Sequence, residues 1–209
     1  DLHSFPTRRS SDLWQRPLAD SVSNTNWEEI WTWWDTAIQA HKEAGMKFII
    51  MPWIPAPKTL ADLQAYCDYF NRIGEKCQVA GLNFGYHNHN FEFNEVEGEM
   101  MYDYMLQHTD PEKVFFQMDV YWVVRGRQDP VAYFKKYPGR FKLLHIKDET
   151  EVGRDGVVDF ENVFNEASTA GAQYMVVEVE KYTGTPLEGV RQSYDFLDNA
   201  DFVKKSYSK

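Results

Sequence analysis

Four short apolar segments of this chain each end in side chains suited to hold a cation, and that pattern constrains the fold more than any other feature. The first is Gly85-Tyr86-His87-Asn88-His89-Asn90-Phe91-Glu92-Phe93. Gln117-Met118-Asp119-Val120, Leu144-His145-Ile146-Lys147-Asp148 and Val177-Glu178-Val179-Glu180 follow it. Successive side chains of an extended strand point to opposite faces, so His87 and His89 are expected on one face, Tyr86 and Asn88 on the other. By the same rule His145 shares a face with Lys147, and Glu178 with Glu180. A His, an Asp, a His and a Glu at four separate strand ends describe a mononuclear metal site at the top of an α/β barrel.

Helices with recognisable ends separate these segments. Thr25-Asn26-Trp27-Glu28 reads as a capping box that opens a helix to about Ala44, with Gly45 as its stop. A buried strand is expected over Met46 to Pro52. Thr59 then caps a helix whose apolar positions Leu60, Leu63, Tyr66, Phe70 and Ile73 repeat at helical spacing up to Gly81. Further strands are expected over 82–89, 114–121, 141–147 and 174–180. Helices are expected over 99–108, from Asp129-Pro130 to Tyr137, from Asp159 towards Ala170, and onward from Pro186. Short apolar strands alternating with helices predict an α/β fold with a parallel sheet covered on both faces. A barrel fits better than an open doubly wound sheet. The polar residues sit at the C-terminal ends of successive strands, and no Gly-rich phosphate loop follows any of them. Trp27, Trp31, Trp33 and Trp34 are expected to pack a helix, whereas Trp53 and Trp122 stand at strand ends.

The chain has 209 residues, fewer than the roughly 250 of a complete eight-stranded barrel. Its net charge is −10, with no basic stripe, which argues against nucleic acid as a partner. No apolar run approaches the roughly 20 residues that span a membrane, so no membrane partner is expected. Cys67 and Cys77 lie in one predicted helix, too far apart along its axis to bond, and are expected as thiols. The segment from His3 to Leu13 matches a reading-frame translation of a widely used DNA-sequencing adapter. Residues 1–13 are therefore set aside, and residues 14–209 are read as one partial barrel domain. The natural protein is then expected to extend upstream of Trp14, which leaves its compartment open between a bacterial cytoplasm and a periplasm. A barrel lacking its first strands would expose two unpaired edges, so the chain expressed alone is expected to be poorly soluble.

At the strand ends the chain resembles the sugar phosphate isomerase/epimerase family of xylose isomerase-like TIM barrels, the superfamily that also holds the AP-endonuclease relatives. The resemblance runs from Trp14 to the C-terminus and rests on the four motifs above, with Met118-Asp119-Val120-Tyr121-Trp122 in the second. It implies a (β/α)8 barrel, N-terminally truncated, of which strands four to eight are present. It also implies one divalent ion (Mn, Zn or Co) held by His87, Asp119, His145 and Glu178. Two departures stand out. Family members commonly carry a glutamate where this chain has His87, and often a histidine where it has Trp122.

The chemistry that follows is metal-dependent isomerisation or epimerisation of a sugar or sugar phosphate through an enediolate. Glu178 or Glu92 would remove the proton and Lys147 is a further catalytic candidate. His89, Trp122, Arg154 and Glu180 are the candidate substrate contacts, with a small sugar or keto-sugar as the partner. Self-association into a homo-oligomer is left open. The main alternative is a lyase or hydratase acting on a keto-sugar or 3-keto-glycoside at the same metal site. A non-catalytic sugar-binding barrel and a phosphodiesterase acting at abasic DNA are more remote.

Overall fold

Asn26 opens the first helix. In the computed structural model, which describes residues 26–207, its side-chain oxygen accepts from the Glu29 N–H at 3.4 Å. The cap thus sits one residue later than expected, and Thr25 lies outside the described residues, as do the set-aside residues 1–13. Two units can be distinguished, residues 26–87 with 95–115, and residues 88–94 with 116–207.

The first unit holds α1 (Trp27–Glu43), β1 (Phe48–Met51), α2 (Leu60–Ala80), β2 (Asn83–His87), the short hairpin β3 (Glu95–Val96) and β4 (Glu99–Met100), and α3 (Met101–His108). Thr59 caps α2 as expected, accepting from the Asp62 N–H, and Gly81 closes it at φ 82°, a conformation that only glycine adopts without cost. β1 and β2 pair in parallel, Phe48 opposite Asn83 and Met51 opposite Tyr86. Trp27, Trp31 and Trp34 of α1 do pack against α2, each ring meeting Tyr69, while Trp33 is set edge-on to Trp34 within α1. Trp34 is fully buried and donates its indole N–H to Tyr69 Oη of α2 at 2.5 Å, and the Arg72 guanidinium lies 4.1 Å over the Trp31 ring. Cys67 and Cys77 are buried thiols, and burial pushes both up to about 12. Residues 99–100 prove to be a strand, because Glu97 and Gly98 both take positive φ and turn the chain back on itself.

The second unit is built on β5 (Val114–Asp119, whose first two residues belong to the first unit), β6 (Leu143–Ile146) and β7 (Tyr174–Val177). These strands pair in parallel and in chain order. Every residue of β5 is buried, as a strand covered on both faces requires. Around them run α4 (Val120–Arg125), α5 (Pro130–Lys136), α6 (Phe160–Asn165), α7 (Ala167–Ala170) and α8 (Pro186–Asn199). The strands end earlier than the sequence predicts. β2 stops at His87, so His89 lies beyond the reach of strand alternation. β5 stops at Asp119, where a helix replaces the expected extension to Tyr121. Lys147, Glu178 and Glu180 lie just past their strands. The single helix expected after Asp159 is broken at Glu166 into α6 and α7.

Candidate active site at the strand ends of the second unit

Register brings the candidate ligands level. Asp119 pairs with His145 across β5 and β6, and His145 pairs with Val176 across β6 and β7. Glu178 is two residues past Val176 and so points the same way. Its N–H still donates to the Ile146 carbonyl, which carries the ladder one step beyond the strand. The result is a row of carboxylate, imidazole and carboxylate. His145 Nδ1 lies 3.1 Å from Asp119 Oδ2, and Nε2 lies 3.7 Å from Glu178 Oε2.

Asp119 is fully buried and held from two sides. Its Oδ1 accepts from the Trp122 N–H at 2.9 Å, which caps α4, and its own N–H donates to Asn88 Oδ1 at 3.0 Å. Oδ2 is thereby turned towards His145. A buried carboxylate aimed at an imidazole, with a second carboxylate on the far side of that ring, is a mixed N/O donor set of the kind that zinc and manganese accept, so these residues fit a divalent ion. His87 is buried at the end of β2, the last residue of the first unit, and Asn88 continues directly into the second.

Lys147 gives the row its positive charge. Its ammonium is buried and lies 2.6 Å from Glu180 Oε2 and 3.3 Å from Glu178 Oε2. Burial works against that charge, but the hydrogen bond it donates to Glu180 and the charges of both glutamates outweigh it, so the pKa rises. The same hydrogen bond, the largest influence on Glu180, lowers the carboxyl there. The ammonium also stands 5.8 Å from the Tyr121 ring centre and 5.9 Å from that of Trp122. His89 lies 6.0 Å from Trp122 and 6.1 Å from Phe91, so an aromatic wall flanks the charged row. Burial is the main influence on His89 and lowers its pKa, which favours the neutral ring.

Two candidates are engaged in other ways. Glu92 is fully buried in a 3₁₀ turn (Phe91–Phe93) and accepts from the His89 N–H at 2.9 Å. Arg154 reaches towards Glu151 at 3.8 Å and Gln192 at 3.4 Å. Several residues at this end carried no sequence signal strong enough to single them out. Asn88 holds Asp119. Glu149 accepts from Tyr121 Oη and, at 2.7 Å, from Lys181 Nζ. Glu151 is buried and accepts from the Thr183 N–H at 2.7 Å. Their partners lie about 30 residues away in sequence, beyond the reach of local periodicity. Only the unusual density of Asn, Glu and Thr near the motifs could have pointed to them.

Comparison with known proteins places this geometry in context. A family model described as xylose isomerase-like TIM barrel matches residues 9–200. The crystal structure of a sugar phosphate isomerase/epimerase from Parabacteroides distasonis ATCC 8503 is 38% identical, with a TM-score of 0.79 over 82% of this chain and 66% of that one. An inosose dehydratase of Lacticaseibacillus casei is 24% identical over 61% of this chain and 51% of its own length. The IolI protein, solved with a bound zinc atom, shares the fold at a TM-score of 0.65 and 15% identity over 87% of this chain and 72% of that one. The chain thus spans about half the length of the curated relatives it matches.

Proposed function

The chain belongs to the xylose isomerase-like TIM barrel family, and from that premise we propose that it carries the catalytic end of an enzyme that removes a proton beside the carbonyl of a sugar-like substrate and returns it elsewhere, an isomerase or epimerase. The observation that carries this reading is Lys147, a buried ammonium held between Glu178 and Glu180 next to the Asp119–His145 pair. A divalent ion would be held by Asp119 and His145, with Glu178 as a further ligand on the far side of the imidazole. When bound, such an ion polarises a carbonyl and its neighbouring hydroxyl and so acidifies the carbon between them.

The chain's own residues do the rest. Glu178 takes the proton, being the carboxylate that is both partly exposed and in line with His145. Lys147 faces the oxygen where negative charge develops and offers the proton back, while Glu180 fixes its position at 2.6 Å. Trp122 and His89 lie against the apolar face of the sugar ring. Glu92, locked onto the His89 backbone, serves to position that histidine.

Proton NMR in D₂O tests this reading on the metal-loaded protein at its native length, incubated with keto-sugars. Deuterium should appear at the carbon next to the carbonyl, and Glu178→Gln should abolish its uptake. Failure of every keto-sugar to exchange would remove the reading. A second outcome of the same proton removal is loss of a neighbouring hydroxyl as water. The curated relatives, whose printed function is that of a dehydratase, favour it. Mass spectrometry of the product separates the two, since elimination lowers the mass by one water and isomerisation leaves it unchanged.

A further inference from the structure

β7 ends at Val177, so the chain past it must keep Glu178 and Glu180 beside Lys147 without a strand to hold them. The Glu178 N–H still joins the ladder at the Ile146 carbonyl. Beyond it, the Lys181–Glu149 pair is open to solvent, where an ion pair adds little order. The buried attachment of this stretch is Glu151, in the loop after β6.

One oxygen of the Glu151 carboxylate accepts both the Thr183 N–H at 2.7 Å and the Thr183 hydroxyl at 2.9 Å. The residue is 1% exposed, and Arg154 Nε stands 3.8 Å from its other oxygen. A carboxylate is costly to bury unless it is hydrogen-bonded, so its place here depends on Thr183. α8 seats the same stretch. A Cβ added at Gly189 would lie 2.8 Å from Tyr182 Cβ, 3.4 Å from Val179 Cγ1 and 3.7 Å from Glu151 Oε1, so a side chain there would push the stretch away. One turn on, the Ser193 hydroxyl donates to the Gly189 carbonyl at 2.9 Å and accepts the Val152 N–H at 3.0 Å. The loop that follows Lys147 and the stretch that carries Glu178 and Glu180 are thus anchored to one helix.

We propose that Glu151 is a positioning residue for the proton removal described above, a reading on which this inference rests. Bonded to Thr183 and seated at Gly189, it sets where Glu178 and Glu180 stand relative to Lys147. It acts through the stretch 178–183 and touches neither substrate nor ion. A shift of about 1 Å in groups that move a proton can slow a reaction by about 10²-fold. A residue that only orders such groups therefore has a large effect on kcat and a small one on KM.

Three variants of the metal-loaded protein at its native length decide it. Glu151→Ala and Gly189→Ala should each lower kcat for deuterium exchange with a keto-sugar by about 10²-fold, with KM and ion content unchanged. Alanine favours a helix more than glycine does, so a slower Gly189→Ala protein reports the displaced stretch and not a weaker α8. Glu151→Gln keeps an oxygen that accepts both Thr183 bonds and should recover most of kcat. Amide hydrogen exchange needs no turnover. The amides of Glu180, Lys181 and Thr183 should exchange up to about tenfold faster in Glu151→Ala, the effect of one lost hydrogen bond. Full kcat in a folded Glu151→Ala or Gly189→Ala overturns the inference, and so does an equal loss in Glu151→Gln or a rise in KM alone. Should Glu151→Ala not fold, the other two variants decide it. If the unmutated protein exchanges no keto-sugar, the proton-removal reading falls instead, and the amide comparison alone then decides whether Glu151 orders the stretch.

Discussion

Lys147 is where residue identity and chemistry meet most closely. Replacing it with methionine keeps the length of the side chain but removes the charge that faces the developing oxyanion. Lys147→Met should slow deuterium exchange by about 10²- to 10⁴-fold, the usual span for a lost proton-transfer partner, as read by NMR on matched metal-loaded samples. Glu151 acts on stability. Hydrogen bonding from the Thr183 backbone, above all, holds its carboxyl down to about 2 against an ordinary 4.5. A depressed carboxyl stabilises the fold fully above its unfolded value and loses that contribution as pH falls towards the folded one. Urea midpoints should therefore fall between about pH 4.5 and pH 2, and Glu151→Gln should flatten that fall. Within the first unit, Tyr69→Phe would leave the buried Trp34 indole N–H without its acceptor, a loss of about 1–3 kcal/mol by chemical denaturation. Of these residues only Lys147 was legible as a candidate, because it stands in a strand-end motif. Glu151 and Tyr69 act through partners that a linear reading does not connect.

At the scale of elements the sequence marked strand and helix cores well and their ends poorly. α2 begins at Thr59 and ends at Gly81 as read, since both signals are local and unopposed. α4 was hidden. Val120, Tyr121, Trp122, Val123 and Val124 are all strand formers by propensity, yet they form a helix that the Asp119 carboxylate caps at the Trp122 N–H. That single cap matters for function, because it orients the carboxylate proposed to hold the ion. The Thr185–Glu188 box is a similar local device, and its cost can be measured. Thr185→Ala should lower stability by about 1 kcal/mol in a thermal melt, and the loss should be smaller in Thr185→Ser. An equal loss in both variants would assign the effect to the threonine methyl group and not to the cap.

For the whole molecule, fold class and candidate site were legible together, because parallel strands bring their ends to one level. Asp119, His145 and Glu178 belong to three separate strand ends and meet only through the register of β5, β6 and β7. The same register explains why the rest was illegible. The loop network around Asn88, Glu149 and Glu151 has no period to betray it. Ligand binding should also register globally. An ion that binds only the folded protein raises its stability by about 2.7 kcal/mol at a hundredfold excess over Kd, so metal removal by a chelator should lower Tm and the returned ion restore it. The most direct test of the account is the metal content of the native-length protein, with and without the double change Asp119→Ala, His145→Ala. The account predicts about one divalent ion per chain, lost in the double variant. An unmutated protein that holds no metal even after reconstitution would contradict it.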